Sequence, residues 1–248
     1  MEKIELYDYQ KNLLKVFNEE QFVLVKQSRQ MGISTLLCEY ILEEITYNED
    51  RHIVILSSNQ TNGIILLDKI KLSLKDNAMI TNTRKRLKLI NGNRIDVITT
   101  HNDLRGTTPN IVIIDNAGFI DNFEKIINYF IKHLLPETKI IINSNNNTNS
   151  YFNKLYNDKN KFYKVLIPWV LHPNRDNIWY EKIKENYGGS IDMFNSEINL
   201  IDIPNKTNKN RVVTIRVNDD ILNKITDKLL ERDLSISEYI RQLIEDDN

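Results

Sequence analysis

The sequence predicts an α/β fold with a mostly parallel sheet flanked by helices, followed by a small module of one strand and two helices. Continuous runs of β-branched residues alternate with segments of helical period, which is typical of a parallel sheet buried on both faces. A polar stretch then separates this pattern from a short alternating strand. We therefore expect a large domain over residues 1–203, a linker at 204–210 and a module over 211–248.

The elements of the large domain follow from their hydrophobic spacing. Leu13, Leu14 and Phe17 have helical spacing and predict a first helix, and the NGN segment between two short alternating runs predicts a hairpin. A polar, Asn-rich loop enters a helix at Tyr151. The predicted strands cover residues 22–26, 52–58, 86–90, 94–100, 110–115 and 139–144. The first helix covers residues 9–17, and further helices are predicted at residues 36–45, at 63–74 and in a stretch after residue 120.

Three of the predicted strands run directly into polar segments. These segments are Gln27–Ser34, Asp115–Asn116 and Asn143–Asn145. Ligands of open α/β sheets bind outside the carboxyl ends of the strands, so we expect the three segments to meet at one ligand-binding edge.

Composition excludes several functional classes. The chain has 248 residues, 41% hydrophobic and 27% charged, with a net charge of −1, so any contact with nucleic acid must come from a local patch. The single cysteine, Cys38, excludes an internal disulfide framework and a cysteine-based zinc site. The polar start MEKIELYDYQ predicts no signal peptide, and no apolar run reaches the roughly 18 residues of a membrane span.

The segment QSRQMGISTLL resembles a phosphate-binding loop of the pattern G-x-x-x-x-G-K-[ST]. Gly32 and Ser34 occupy the second glycine and the hydroxyl position, whereas Gln27 replaces the first glycine and Ile33 replaces the lysine. A helix start alone can hold a phosphate through its free backbone amides. The segment by itself therefore fits either a nucleotide site or an ordinary strand-to-helix turn.

Five segments, in order, resemble the ATPase domain of the large terminase subunits of tailed phages, the motors that package DNA. They are YDYQKNLL, SRQMGIST, DLRGTTPNIVIIDNAGFIDNF, KIIINSNNNTNSYF and W-x-x-HPNRD-x-x-W, and they lie within residues 6–200. The resemblance implies a P-loop NTPase-like fold. It also implies, in chain order, an adenine-side segment, the Walker A loop, the Walker B strand, the coupling motif and the end of the ATPase domain.

The resemblance assigns roles only where residues match the motifs of the family. It implies ATP and Mg²⁺ as ligands, with the metal held by Ser34 and Asp115. Arg29 matches a loop arginine that can serve as a cis-acting finger, and Ser144 falls in the coupling motif. The implied nucleotide-binding residues are Tyr7, Gln10, Lys26, Gln30, Gly32, Ser34, Thr35 and Asp115.

Two positions depart from the family pattern. Ile33 stands in place of the Walker A lysine, and Lys26 is the candidate substitute, because some terminases carry this lysine at the front of the loop. Asn116 stands in place of the catalytic glutamate, so the catalytic position is degenerate. An amide cannot accept a proton, and general-base assistance contributes about 10²- to 10⁴-fold to a rate. Asn116 therefore predicts slow hydrolysis or none, and whether the chain is an active enzyme stays open here.

Residues 211–246 resemble a ribbon-helix-helix module, in which the strand pairs with the same strand of a second chain and enters the major groove. Period 2 places alternate strand residues on the face toward the bases. The second helix starts at Ser235, which has capping-box spacing to Glu238, and such a helix start can hold a DNA phosphate. The implied DNA-binding residues are Val212, Thr214, Arg216, Ser235 and Ser237.

A module this short has too little core to fold alone, so the resemblance requires a homodimer. Residues 206–248 hold 8 Lys and Arg against 9 Asp and Glu, so contacts with phosphates would be few and sensitive to salt. The alternative is a β-α-α tail that only dimerises the chain.

Three functional hypotheses follow. The favoured one is a terminase-like ATPase that binds ATP·Mg²⁺ and double-stranded DNA and assists viral packaging or translocation in the cytoplasm of the infected bacterial host, with phage packaging proteins as partners. The chain leaves no length for the terminase nuclease domain, so that chemistry is not expected. The second hypothesis is a degenerate ATPase scaffold in a dimeric, sequence-specific DNA-binding regulator. The third is a structural protein whose tail only dimerises.

Overall fold

The structure is a computed structural model that describes residues 5–74, 78–98, 108–133, 136–146 and 150–200. The predicted linker and ribbon-helix-helix module lie outside the described residues, and so do Val212, Thr214, Arg216, Ser235 and Ser237.

The described residues form seven α-helices and eight strands. The helices are α1 (Asp8–Glu19), α2 (Ile33–Tyr47), α3 (Gln60–Leu72), α4 (Phe123–His133), α5 (Tyr151–Asn157), α6 (Asn177–Asn186) and α7 (Ile191–Glu197). The strands are β1 (Phe22–Gln27), β2 (His52–Ser57), β3 (Met79–Asn82), β4 (Arg86–Leu89), β5 (Arg94–Ile98), β6 (Ile111–Asp115), β7 (Lys139–Ser144) and β8 (Tyr163–Ile167). Short 3₁₀ turns cover Ala117–Phe119 and Trp169–Leu171.

All eight strands belong to one sheet in the order β3-β4-β5-β2-β6-β7-β1-β8. The pairs from β5 to β8 are parallel, and the pairs β3–β4 and β4–β5 are antiparallel. The predicted mostly parallel sheet and the hairpin at NGN are therefore confirmed. The sequence analysis missed the edge strands β3 and β8, which are short or half-exposed and so lack the continuous apolar run of a central strand.

Side chains of the central strands alternate between two separate cores. Val23 and Val25 of β1 belong to a core shared with α1, α2 and α3. Leu24 lies between them in sequence and belongs to a second core, which contains residues of α4 and α5. The same alternation continues in β2, β6 and β7. Because helices cover both faces of the sheet, both sets of strand residues are apolar, which explains the continuous runs in the sequence.

The register of the sheet aligns the ends of β1, β7 and β6. Val25 is paired with Asn143, and Asn143 is also paired with Asp115. The carboxyl ends of the three strands therefore meet at one edge, as the sequence analysis predicted for the polar segments that follow them.

Among the described residues, no helix combines the length and apolar character required to cross a membrane. The same residues contain no cluster of three or more His, Cys, Asp or Glu side chains that could hold a metal ion by themselves.

Candidate nucleotide-binding cleft

An open cleft of about 460 Å³ lies at the carboxyl ends of β1, β6 and β7. The loop between β1 and α2 forms one wall of the cleft, and the segments after β2, β6 and β7 contribute the rest. Its lining residues are Gln27, Arg29, Gln30, Met31, Gly32, Ile33, Ser34, Thr35, Ser58, Asn62, Asn116, Phe119, Asn145 and Glu197. The loop whose sequence resembles a phosphate-binding loop thus lines a cavity.

The loop makes a tight turn into α2. Gln30 and Gly32 have left-handed backbones, with φ of 63° and 69°, and Gly32 caps the helix. A Cβ atom at position 32 would lie 2.7 Å from Gln10 Nε2, so glycine satisfies both the backbone and the packing. The first backbone amides of α2 have no partner within the helix, and they begin at this turn. The turn therefore has the features of an anion-binding helix start.

Residues of α1 stabilise this turn by hydrogen bonds to its carbonyl oxygens. The Tyr9 hydroxyl donates to the Met31 carbonyl oxygen at 2.8 Å, and Gln10 Nε2 lies 3.4 Å from the carbonyl oxygens of both Met31 and Gly32. Burial raises the pKa of Tyr9 to about 12, so this hydroxyl stays a donor at neutral pH. Tyr7 does not line the cleft; its ring lies 5.9 Å from that of Tyr9 and 4.7 Å from that of His172.

Two residues that are distant in sequence, Arg175 and Ile198, form hydrogen bonds with the first residues of the loop. Arg175 donates to the carbonyl oxygens of Arg29 and Gln30, at 3.2 and 2.7 Å, and its guanidinium lies 4.3 Å from the centre of the Trp179 ring. The Ser28 hydroxyl donates to the carbonyl oxygen of Ile198 at 2.6 Å. The loop conformation therefore depends on residues more than 140 positions away in the chain.

Ser34 lines the cleft and contacts Asp115, which lies beside the cleft and is not among its lining residues. Ser34 Oγ donates to Asp115 Oδ2 at 3.3 Å, and Asn143 Nδ2 donates to Asp115 Oδ1 at 2.7 Å. Asp115 is 4% exposed, and this burial raises the pKa of its carboxyl against the opposing effect of the two hydrogen bonds. The two residues that the resemblance assigns to Mg²⁺ are thus brought together by α2 and β6.

Three buried amide oxygens at the carboxyl ends of β1 and β7 accept no hydrogen bond from the described residues. They are Gln27 Oε1, Asn143 Oδ1 and Asn145 Oδ1. Unmatched acceptors in a buried polar site indicate a missing donor or cation. A serine hydroxyl, a carboxylate and amide oxygens are also the hard oxygen ligands that Mg²⁺ prefers, directly or through its water molecules. The residues present therefore fit a hydrated magnesium ion.

The residues after Asp115 lead from the cleft into a 3₁₀ turn that contacts the end of β7. Asn116 lines the cleft in a left-handed conformation, with φ of 57°, and it caps the 3₁₀ turn. The backbone amide of Gly118, within that turn, donates to Ser144 Oγ at 3.0 Å. Ser144 therefore ties the end of β7 to the segment that carries Asn116.

The structure does not bring Lys26 into the cleft. Lys26 is 4% exposed, and its Nζ atom lies 5.5 Å from the centre of the Tyr156 ring in α5. It shares a face of β1 with Leu24, whereas the loop enters α2 on the other face. Ile33 is 2% exposed and packs in the core shared by α1, α2 and α3. Its side chain is therefore buried, whereas the lysine at this position of a P-loop extends to the phosphates.

Arg29 is paired rather than free. Its Nη1 atom lies 2.8 Å from Glu197 Oε2, and the Tyr187 hydroxyl donates to the same oxygen at 2.7 Å. The backbone amide of Arg29 also donates to the carbonyl oxygen of Glu197 at 2.9 Å. Glu197 and Tyr187 were not predicted as site residues, because no local sequence signal connects residues 187–197 with the loop.

The fold is similar to that of phage large terminase ATPase domains. The ATPase domain of the Thermus phage P74-26 large terminase matches with a TM-score of 0.59 and 15% identity, over 81% of this chain and 100% of that chain. The HK97 bacteriophage large terminase matches with a TM-score of 0.59 and 16% identity, over 81% of this chain and 51% of that chain.

A large terminase from a thermophilic bacteriophage, solved in complex with ATP-γ-S, matches with a TM-score of 0.63 and 10% identity, over 80% of this chain and 53% of that chain. The same terminase was solved in complex with ADP. The chain thus spans about half the length of the longer terminases that it matches. No protein-family model matches the sequence. The fold of the described residues is therefore similar to that of large terminase ATPase domains.

Proposed function

We propose that the protein is a terminase-like P-loop ATPase that binds ATP·Mg²⁺ in this cleft and acts on double-stranded DNA during viral packaging or translocation. The observation that carries the proposal is the contact between Ser34 Oγ and Asp115 Oδ2, 3.3 Å apart, beside a glycine turn at the start of a 15-residue helix. A hydroxyl and a carboxylate at this place are the pair that orders Mg²⁺ in P-loop enzymes.

Each residue of the cleft has a defined task in this proposal. The amides of the turn at Gly32 and α2 would bind the phosphates, and Ser34 and Asp115 would hold the cation, which would supply positive charge to the triphosphate. Arg29 supplies positive charge to the phosphates in place of the absent lysine. Asn116 orients the attacking water through its amide but cannot take a proton from it. The arrangement therefore supports tight binding with slow hydrolysis.

Two further observations support a nucleotide as the ligand. The terminase from a thermophilic bacteriophage was solved with ADP and with ATP-γ-S, and its fold matches this chain over 80% of the chain length in both complexes. Tyr9 and Gln10 also hold the loop in its turned conformation through hydrogen bonds to its carbonyl oxygens, so little ordering cost remains for binding.

The DNA part of the proposal rests on the resemblance to packaging motors and on the ribbon-helix-helix pattern of residues 211–246. In this proposal Val212, Thr214 and Arg216 read base edges, and Ser235 and Ser237 lie at a helix start that holds a backbone phosphate. The strand pairs with a second copy of the chain, so the protein acts as a homodimer, and phage packaging proteins are its other partners in the host cytoplasm.

A steady-state ATPase assay tests the proposal. With Mg²⁺ present, the full chain is expected to turn over ATP slowly, and saturating duplex DNA is expected to raise the rate by about 10-fold, since a translocating motor couples hydrolysis to its track. The Asp115→Asn variant serves as the blank. A wild-type rate equal to this blank, both with and without DNA, would contradict the motor function.

The burial of Ile33 and the amide at Asn116 favour a second candidate, in which the domain binds nucleotide or only supports the fold and the dimer regulates a DNA site. Neither side chain can supply the charge or the proton transfer of an active P-loop ATPase. Sequence-specific binding to DNA, together with a rate equal to the Asp115→Asn blank, would favour this candidate over the motor.

A further inference from the structure

The antiparallel end of the sheet concentrates positive charge. Residues 77–95, which include β3, β4 and the start of β5, contain five Lys and Arg and no Asp or Glu. Because the whole chain has a net charge of −1, this charge is local rather than a property of the composition. None of these residues lines the proposed nucleotide cleft. The five are Arg84, Lys85, Arg86, Lys88 and Arg94.

The two faces of β4 differ in character. Leu87 and Leu89 belong to the core shared by α1, α2 and α3, whereas Arg86 and Lys88 alternate with them and are exposed. The strand is paired with β3 on one side and with β5 on the other. Its cations are therefore not the charges by which an edge strand resists aggregation. They lie on an open face of the part of the sheet that the structure describes.

Two cations of this face stand directly opposite each other on neighbouring strands. The register of β4 and β5 pairs Lys88 with Arg94, and it pairs Arg86 with Asp96. Directly opposed like charges destabilise a sheet, whereas opposed charges of opposite sign stabilise it. The pair of Lys88 and Arg94 therefore lowers the stability of the folded chain, and an anion bound between them would remove the repulsion.

The buried acid beside this pair is already engaged. Asp96 Oδ1 lies 2.6 Å from Arg86 Nε, and Asp96 Oδ2 lies 2.5 Å from Arg94 Nη2 and 2.9 Å from His52 Nε2. Against the effect of burial, these hydrogen bonds hold the pKa of the Asp96 carboxyl below its usual range, so it is ionised at neutral pH. Asp96 offsets one positive charge and fixes two guanidinium groups, and within the described ranges it forms no ion pair with Lys88.

We propose that this open face of β4 and β5 binds the sugar-phosphate backbone of double-stranded DNA without regard to its sequence. Lys88, Arg86 and Arg94 contact the phosphates, and Arg84 and Lys85 add charge beside them. This inference rests on the proposed function, because it takes duplex DNA from that function as the partner.

The spacing of the cations suits a polyanion better than a single phosphate. Residues two apart on one face of a strand are separated by about 7 Å, and paired residues on neighbouring strands by about 5 Å. The charges are therefore spread over a surface rather than gathered around one point. Arg86 and Arg94 are also held in place by Asp96, so less side-chain freedom is lost when they contact phosphates.

This face also supplies what the C-terminal sequence lacks. Residues 206–248 hold 8 Lys and Arg against 9 Asp and Glu, so few of their contacts could be to phosphates. Contacts to phosphates supply most of the affinity for DNA, whereas contacts to base edges supply the specificity. In this proposal the face of β4 and β5 provides the first kind of contact and residues 211–246 provide the second.

Fluorescence anisotropy on the full-length chain tests the inference, with two labelled duplexes of unrelated sequence titrated over a series of KCl concentrations. Lys88→Gln is expected to weaken binding to both duplexes about fivefold and to make the slope of log K against log salt shallower by about 1, the contribution of one phosphate contact. The double variant Arg84→Gln/Lys88→Gln should make this slope shallower by about 2.

Stability and charge are controlled separately. Lys88→Gln should melt at or above the wild-type temperature, because it removes the repulsion with Arg94. Weaker DNA binding by this variant therefore does not reflect unfolding. Lys15→Gln, which removes an exposed lysine of α1, is the charge-matched control and should bind both duplexes like the wild type.

The other outcomes overturn the inference. A Lys88→Gln slope equal to that of the wild type, or an equal change in Lys15→Gln, would exclude a phosphate contact at this face. Weakening confined to one duplex would assign Lys88 to base recognition and would also overturn it. The expected DNA pattern with ATP turnover equal to the Asp115→Asn blank would contradict the motor but support this inference. DNA-stimulated turnover with an unchanged Lys88→Gln slope would overturn the inference alone.

Discussion

Asn116→Glu is expected to raise the rate constant of ATP hydrolysis by about 100-fold or more, because general-base assistance contributes about 10²- to 10⁴-fold. Asn116 lines the cleft directly after Asp115, at the end of β6, so a carboxylate at this position lies beside the site assigned to the cation and the phosphates. The measurement is the initial rate of phosphate release at saturating Mg²⁺·ATP, with and without duplex DNA.

Asn116→Gln is the matched control for this gain of activity. Glutamine has the length of glutamate without its basicity, and both residues bear the same backbone cost, about 1–2 kcal/mol, of a left-handed conformation that asparagine tolerates. Equal rates for the glutamate and glutamine variants would show that the missing proton acceptor does not limit hydrolysis. The buried Ile33, in place of the lysine, would then be the limiting departure.

Asp115→Asn is expected to have two opposite effects. The affinity for Mg²⁺·ATP-γ-S should fall at least about 100-fold, because the substitution removes the carboxylate that is proposed to hold the cation. Without ligand, the variant should nevertheless have a free energy of unfolding about 1 kcal/mol higher than that of the wild type at pH 7. The reason is that burial raises the pKa of the Asp115 carboxyl, so its ionised form destabilises the folded state.

The pH dependence of this stability difference has a defined sign. A carboxyl whose pKa is raised on folding contributes stability that is present below its unfolded pKa, about 3.9 for aspartate, and is lost as the pH rises through the folded pKa. The difference between Asp115→Asn and the wild type should therefore be large at pH 7 and should close toward pH 4. Urea unfolding in EDTA, at several pH values, measures it.

Asp121→Asn is the control for the loss of one negative charge, since Asp121 is exposed and follows the same 3₁₀ turn. It should change neither nucleotide affinity nor stability measurably. A ligand-free Asp115→Asn protein that is less stable than the wild type at pH 7 would contradict the account. The ionised carboxylate of Asp115 would then stabilise the folded state rather than destabilise it.

The central strands β1, β2, β6 and β7 could be predicted from sequence because each is buried on both faces and is therefore almost continuously apolar. The polar residues that follow β1, β6 and β7 could be placed at one edge by the same argument, and Ser34 and Asp115 do meet there. The edge strands β3 and β8 escaped prediction because a strand with one neighbour carries a weaker hydrophobic pattern.

The position of Lys26 and the long-range contacts of the loop could not be predicted from the spacing of the motifs. The alternation of β1 places Lys26 on the face of Leu24, away from the loop, and this could have been read from the period of two. The contacts of Arg29 with Glu197 and of the loop carbonyls with Arg175 join segments far apart in sequence. No local pattern records such pairs, so only the folded chain reveals them.

The central claim is that this cleft binds a nucleoside triphosphate through a divalent cation although the Walker lysine is replaced by a buried isoleucine. The most direct test is a calorimetric titration of the wild-type full chain with ATP-γ-S, once in excess Mg²⁺ and once in EDTA. The account predicts saturable binding at one site per chain in Mg²⁺ and an affinity at least about 10-fold lower in EDTA, because the loop then faces the full phosphate charge without the ion. Absence of binding in Mg²⁺, or equal affinity in both titrations, would contradict it.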